Sequence, residues 1–397
     1  MTDDVCTEGS SRHGDDRPVP QNTVRVALLT PVGRGALAVV GVAGPEAERL
    51  VARLFVPRGG PLEGRPDGAI VFGLWNGGTD RPGEELVVVR RGSHDLEIHC
   101  HGGLAASEAV ITSLAQLGAV RQAWPQWLLA GGTPLIEAEA REALAIAGGP
   151  KAARILSRQL AGRLEAECGR VEELIADGRM AEARNTLERL QRAARVGLRL
   201  VRPWRIVLAG HVNAGKSSLV NALAGNARSI VSPDPGTTRD ILETRVVLDG
   251  WEVDLVDTAG LRQDAAGGGV GVTGVERAGI ERAIAACEGA DLVLRVVPAG
   301  EPLEATGAAR PHRELIVFSK ADLVASPAAG LASEGVWTSA VTGAGIAELA
   351  EWIVRRLVPE ETEEPELLGG AVPFTERQVA WIEATREQVL SRLSPAP

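Results

Sequence analysis

The sequence predicts a multidomain protein of α/β and all-α parts: an N-terminal α+β domain, a helical domain, and an α/β domain inserted within the helical one. Three observations carry that reading. Short apolar or alternating runs, punctuated by Gly and Pro, fill residues 23–120, which is strand patterning. Apolar residues at helical spacing occupy 134–200 and return at 375–393. Between those stretches, 204–358 alternates strands with helices as a parallel α/β domain does.

Bulk properties set the frame. A chain of 397 residues is longer than one core usually organises. With 45% hydrophobic and 24% charged residues, it has an ordinary globular composition. No apolar run reaches the ~18 residues that a membrane span needs, so no membrane role is expected. Residues 1–20 are polar, lack an apolar signal core and read as a disordered tail. Cys6, Cys100, Cys168 and Cys287 form no CxxC pair, which disfavours a zinc ribbon and fits a reducing, cytoplasmic setting. A net charge of −10 gives no global attraction for nucleic acid. Lysine is confined to Lys151, Lys216 and Lys320, against a large excess of arginine.

The elements follow in order. In the N-terminal domain (21–120), strands are expected at VRVALL (24–29), LAVVGV (37–42), AIVFGLW (69–75), EELVVVR (84–90) and DLEIHC (95–100), with a helix over 105–117. In the first part of the helical domain (121–203), Leu156, Leu160, Leu164, Val171 and Leu174 fall at roughly helical spacing, as do Leu187, Leu190 and Ala194. Gly148-Gly149-Pro150 and Asp177-Gly178 mark breaks. Pro203 and Trp204 open the α/β domain (204–358). An acidic linker then leads to a last amphipathic helix, 359–397 together, whose stripe is Val379, Ile382, Val389 and Leu393. A lone helix cannot bury such a stripe, so it is expected to pack on the helices of 134–200.

The α/β domain carries the chemistry. Strand RIVLAG runs into GHVNAGKS and then an apolar helix, so Gly210, Gly215, Lys216 and Ser217 satisfy GxxxxGK[ST] in the strand–helix context that motif requires. Main-chain N–H groups through Asn213, Ala214 and Ser218 wrap phosphates at the helix N-terminus. Lys216 reaches the β- and γ-phosphates and Ser217 ligates Mg²⁺. Three further segments follow in the order a guanine-nucleotide switch needs. Thr237 and Thr238 lie in PGTTRD, with Thr238 closing on Mg²⁺. Asp257-Thr258-Ala259-Gly260 gives DxxG, with Asp257 on Mg²⁺ through water and Gly260 near the γ-phosphate. Ser319-Lys320-Ala321-Asp322 is similar to NKxD, with serine where asparagine is usual, and Asp322 accepts from both N1–H and the 2-amino group of guanine. Ser339-Ala340 matches the loop that touches the guanine oxygen. GTP and GDP are the expected ligands, in a P-loop GTPase domain.

GHVNAGKSSLVNALAG, PGTTRDILE, DTAGLR and VERAGIERA together resemble the G domain of the MnmE (TrmE) family of tRNA-modifying GTPases, which is of the TrmE-Era-EngA kind. NTVRVALLTPVGRGALAVVGVAGPEA and LEIHCHGG resemble the family's N-terminal folate-binding-type domain, and FTERQVAWIEA its C-terminal helix. The resemblance implies a homodimer formed through the N-terminal domain and an MnmG-like flavoprotein partner. The substrate it implies is tRNA at the wobble uridine, with a folate one-carbon donor for which Arg34 is the candidate contact. It also implies potassium-dependent pairing of G domains, with Asn213 as K⁺ ligand, and Glu276 as the general base beside Lys216 and Thr238. The residues agree that help is needed: position 261 after DxxG is Leu, so a glutamine that orients water is missing. A cation could stand in for an arginine finger, a device worth roughly 10³–10⁵ in rate. Glu276 is alternatively a solvated helix residue, because GGGVGVTG lengthens the segment before it. Asn213 is alternatively a turn residue.

Two features of the family are not found in this sequence: the Cys-x-Gly-Lys motif, where this one reads LSRLSPAP, and the PGEF-type segment, replaced by RQAWPQWLLAGGTPLIEAEAREAL. His99 and His101 share a strand face without a third ligand, so a structural role is expected. Two functions are consistent with this balance. One is a GTP hydrolase supporting wobble-uridine modification. The other is a GTP-regulated dimeric switch that has lost that chemistry and acts in RNA or ribosome maturation through a partner.

Overall fold

The computed structural model describes residues 23–31, 35–77, 83–92, 94–226, 243–257, 287, 289–302, 313–324, 335–358 and 369–393. The chain divides into two compact units, Met1–Ala138 and Glu139–Pro397.

Among the described residues of the first unit lies one sheet. Its strands are β1 (Arg25–Leu28), β2 (Leu37–Ala43), β3 (Phe55–Pro57), β4 (Ile70–Trp75), β5 (Glu84–Gly92), β6 (Asp95–His101) and β7 (Val120–Arg121), in spatial order β3-β4-β5-β6-β2-β1-β7. Pairing is antiparallel except between β1 and β7. Alternation along the strands sends Val26, Val40, Val42, Val88, Leu96 and Ile98 to one face. There α1 (Ala47–Leu54) and α2 (Leu104–Gln116) cover them with Val51, Val110, Ile111 and Leu114. Trp75 Nε1 donates to Ser113 Oγ at 3.0 Å and so satisfies the buried indole.

Helix α3 (Trp124–Ala130) also belongs to this unit, although the sequence placed 121 onward with the helices. Its Trp127 lies against β2 at Gly41, where any Cβ would run into the indole, and Arg25 stacks on the same ring at 5.0 Å. That contact joins residues far apart in sequence, which local patterning does not report.

The second unit holds α4 (Leu135–Ile146, its first residues lying before the division), α5 (Pro150–Leu160), α6 (Arg163–Ala176) and α7 (Met180–Gly197). Two further helices of this unit are α9 (Ile346–Leu357) and α10 (Glu376–Leu393). Helix α10 packs along α7, burying Ile382 and Val389, and Arg386 donates to Gln191 at 2.6 Å. The stripe is narrower than expected: Val379 is half-buried and Leu393 exposed, while Gln378 and Thr385 are buried. Gln378 explains its burial, since its Oε1 accepts from Phe374 N–H at 2.7 Å and its Nε2 donates to Glu139 at 2.7 Å. The buried Gln159 of α5 likewise grips the segment before α10, accepting from Val372 N–H at 3.1 Å and donating to the Gly370 carbonyl at 3.2 Å.

The α/β sheet of this unit runs β13-β12-β11-β8-β10-β9. Its strands are β8 (Trp204–Ala209), β9 (Glu243–Leu248), β10 (Trp251–Asp257), β11 (Leu292–Pro298), β12 (Glu314–Ser319) and β13 (Val336–Trp337). All neighbours are parallel except β9 and β10, a hairpin whose Asp249-Gly250 turn has positive φ at both residues (45° and 80°). Helix α8 (Lys216–Asn226) follows β8. Lys151 at the start of α5 clasps the hairpin tip. Its Nζ donates to Asp249 at 2.7 Å and sits 5.6 Å from the Trp251 ring, which meets Trp204 edge-on. Asp291, just before β11, accepts from Arg199 and from the Arg205 main-chain N–H. Among the described residues, no helix is long and apolar enough to cross a membrane.

Gly197 ends α7 where a Cβ would overlap the Pro373 carbonyl oxygen and crowd Val372. Gly197→Ala is therefore expected to destabilise the second unit by about 1–3 kcal/mol. Urea titration checks this, and an unchanged midpoint would show that α7 and the 370–374 segment separate at no cost.

Candidate functional site

In an open parallel sheet, ligands bind at the carboxyl ends of the strands. Here β8, β10 and β12 end at Ala209, Asp257 and Ser319. The GHVNAGKS turn joins β8 to α8. Gly210 passes so close to the Val296 carbonyl that a Cβ would overlap it, and Asn213 and Gly215 hold positive φ (66° and 91°). The five carbonyls from 210 to 214 each meet a side chain. Lys216 Nζ donates to Gly210 at 3.0 Å and to His211 at 2.9 Å. His211 Nδ1 lies 2.7 Å from the Val212 carbonyl. Lys320 Nζ donates to Asn213 at 2.7 Å, and Ser319 Oγ to Ala214 at 2.6 Å.

Lys216 is only 4% exposed, so its charge is held inside the turn. Ser217, the next residue, donates its hydroxyl to Asp257 Oδ2, and β10 delivers that carboxylate through the Asp257–Leu208 pairing with β8. A hydroxyl and a carboxylate oxygen brought together at a phosphate loop are the hard donors Mg²⁺ prefers. At the loop's outer side, His211 Nε2 lies 2.8 Å from Glu301. With an acceptor at each ring nitrogen, the Val212 carbonyl first and Glu301 second, the imidazole is held above its ordinary pKa.

The second part of the candidate site follows β12. Lys320 adopts a left-handed conformation (φ 56°) and starts a 3₁₀ turn, Ala321–Leu323, which carries Asp322. Ser339 Oγ donates to Asp322 Oδ1 at 2.5 Å, so the loops after β12 and β13 are bound to each other. They enclose a cavity of about 260 Å³, lined by Gly215, Ser218, Leu219, Ser319, Lys320, Asp322, Leu323, Thr338, Ala340 and Val341. Stacking of Phe318 on Trp337, 4.6 Å between centroids, ties β12 to β13 beneath it.

Of the site residues expected from sequence, Gly210, Asn213, Ala214, Gly215, Lys216, Ser217, Ser218, Asp257, Ser319, Lys320, Asp322, Ser339 and Ala340 therefore meet at one edge of one sheet. Thr237, Thr238, Gly260, Leu261, Glu276 and the candidate folate contact Arg34 lie outside the described residues. Sequence reasoning did not single out Leu219, Leu323, Thr338 or Val341. For two of these a signal exists, since Leu323 (74% exposed) and Val341 (86%) are bare apolar side chains directly beside polar motifs. In the first unit, His99 pairs with Glu97 at 3.1 Å and His101 with Glu84 at 3.0 Å. No group of three or more potential metal ligands occurs among the described residues.

Residues 205–321 match a family model described as 50S ribosome-binding GTPase. Over a far longer stretch the chain is similar to proteins named tRNA modification GTPase MnmE. That of Chlamydia felis is 30% identical over 94% of this chain and 91% of its own length. That of Chlamydia trachomatis serovar A is 32% identical over 83% and 80%. The Synechococcus sp. (strain WH7803) protein is 33% identical over 85% and 81%. A shared nucleotide-binding domain alone would not extend similarity over both the sheet of the first unit and the helices of the second. The chain belongs to the MnmE family of tRNA modification GTPases.

Proposed function

We propose that this protein binds and hydrolyses GTP and uses that cycle to support modification of the wobble uridine of tRNA. The observation that carries the reading is the convergence of Lys216, the Ser217–Asp257 pair and the Asp322–Ser339 pair around one turn. Each has its own part in the chemistry. The Lys216 ammonium would exchange the carbonyls of Gly210 and His211 for β- and γ-phosphate oxygens, a swap of acceptors that leaves the charge inside the turn. Ser217, Asp257 and Thr238 would hold Mg²⁺, which supplies charge neutralisation at the transferred phosphoryl group. Thr237 and Gly260 would close on the γ-phosphate. Asp322 would accept from N1–H and the 2-amino group of guanine, and the Ala340 N–H would face its oxygen.

With Leu261 after DxxG, the nucleophilic water needs another guide, and Glu276 is the residue for it. Asn213, held at positive φ beside the phosphate turn, is the K⁺ ligand. For the remainder we propose a homodimer in the cytoplasm, a folate derivative bound near Arg34, and an MnmG-like flavoprotein partner.

The function is tested by mass spectrometry of tRNA from cells lacking the gene. Loss of the modified wobble uridine is expected, and a normal profile would leave only a GTP-regulated switch. Asp322→Asn should weaken GDP binding by about 10- to 100-fold and favour xanthine nucleotide, whose 2-carbonyl an amide can meet as donor. Isothermal titration reads both, and an undiminished guanine preference would mean the base is read elsewhere. GTP hydrolysis should run several-fold faster in potassium than in sodium buffer; equal rates would remove Asn213 as an ion ligand.

A further inference from the structure

Position 319 holds serine where the guanine-reading motif usually has asparagine, and its hydroxyl is fully engaged by main chain. Ser319 Oγ donates to the Ala214 carbonyl at 2.6 Å and has the Val297 carbonyl at 3.4 Å as a second, weaker acceptor. The side chain is 5% exposed. A hydroxyl carries one proton, and a carbonyl of the phosphate turn and one of β11 compete for it. Lys320 is turned the same way. Its Nζ donates to Asn213 O at 2.7 Å, and its stem lies beside Gly215. Both residues therefore hold the phosphate turn.

Two further hydroxyls beside the cavity are committed as well, while that of Ser218 lines it from the first turn of α8. Thr338 Oγ1 donates to the Phe318 carbonyl at 3.2 Å, and Ser339 Oγ to Asp322 at 2.5 Å. Guanine presents two acceptors on its Hoogsteen edge, N7 and O6. The Ala340 N–H answers O6 in the proposed pose; N7 needs a separate donor. An asparagine carboxamide has two N–H groups, one for a turn carbonyl and one for N7. Serine, with its single proton given to Ala214, has none left.

Building on the base site proposed above, we infer that this chain reads guanine through its Watson–Crick edge and leaves N7 unread. Ser319 is then a positioning residue of the phosphate turn. The ligand class widens accordingly to purine nucleotides that keep the guanine N1–H and 2-amino group but have carbon in place of N7.

The test is isothermal titration of the full-length protein, with Mg²⁺, against GDP, 7-deaza-GDP and ADP. In the native protein, GDP and 7-deaza-GDP should bind within about twofold of each other, with ADP far weaker. S319N should favour GDP over 7-deaza-GDP by about five- to tenfold, the worth of one added hydrogen bond. S319A should weaken both guanine ligands by the same factor, because it loosens the turn they share. If native protein prefers GDP to 7-deaza-GDP by fivefold or more while still rejecting ADP, then Ser218 or a main-chain amide reads N7. The inference then fails and the base site stands. An S319N protein that treats both ligands alike overturns the inference too. If GDP binds no better than ADP, the base-site reading falls and takes the inference with it.

Discussion

A phosphate loop presents main-chain N–H groups to an anion, and in this protein the carbonyl half of each peptide in the loop is occupied by a side chain. The carbonyls of Gly210, His211, Val212, Asn213 and Ala214 are each met by a side chain, from Lys216, His211, Lys320 or Ser319. A peptide whose carbonyl is fixed has its N–H direction fixed as well, because the group is planar. Five successive peptides are held this way at the N-terminus of α8, the place where main-chain amides and the helix dipole together favour negative charge. The three held by His211, Lys320 and Ser319 do not depend on Lys216, whose ammonium is the one proposed to turn to the phosphates. The donors come from three elements: the turn itself, the start of α8 and the end of β12. The shape of this turn thus depends on the segment after β12 being in place, and the 2.5 Å contact between Ser339 and Asp322 extends the same dependence to the loop after β13.

A second consequence runs along β10. That strand ends at Asp257, bound to Ser217, and begins at Trp251, which packs with Trp204 and lies under Lys151 of α5. Strands are stiff along their length, so the nucleotide end and the helix-contacting end of β10 cannot shift independently. The Lys151–Asp249 ion pair contributes little by itself, since Asp249 is 63% exposed and such pairs are worth about 0–1 kcal/mol. Placement of the lysine stem against the Asp249-Gly250 turn, together with the Asp291 contacts to Arg199 and Arg205, is what makes the hairpin and the helices one body.

What could be read from sequence divides along the range of the interactions involved. The Gly210–Ser217 turn, Asp257 and Asp322 could be singled out from sequence because each sits in a short segment with a fixed spacing and a local chemical reason. The main strands and the helix at α2 were legible through periodicity. The partner of α10 was foreseen only as a group of helices: the stripe says that a face must be buried, while the choice of α7 depends on Gly197 admitting the Pro373 backbone. The place of α3 in the first unit depends on Gly41 and Trp127, more than eighty residues apart, and no local pattern carries it. Ser319 illustrates a subtler limit. Its substitution for asparagine was visible, but the carbonyls its hydroxyl answers come from the phosphate turn and from β11.

Lysine usage gives the same conclusion from another side. In a chain that relies on arginine for positive charge, all of its lysines contact main chain or pack where width is restricted. Lys216 and Lys320 each point a compact ammonium at carbonyls inside the phosphate turn, where a planar guanidinium with five donors would leave N–H groups without acceptors. Lys151 runs its aliphatic stem through the space that a Cβ on Gly250 would occupy, its Cγ 2.9 Å from that position, so the slim stem and the bare glycine are matched. An ammonium on a narrow chain is the common requirement. It places two lysine ammonium groups in the phosphate turn and the third on the hairpin that carries Asp257, which makes the residue type itself a marker of the path from that turn to the helices.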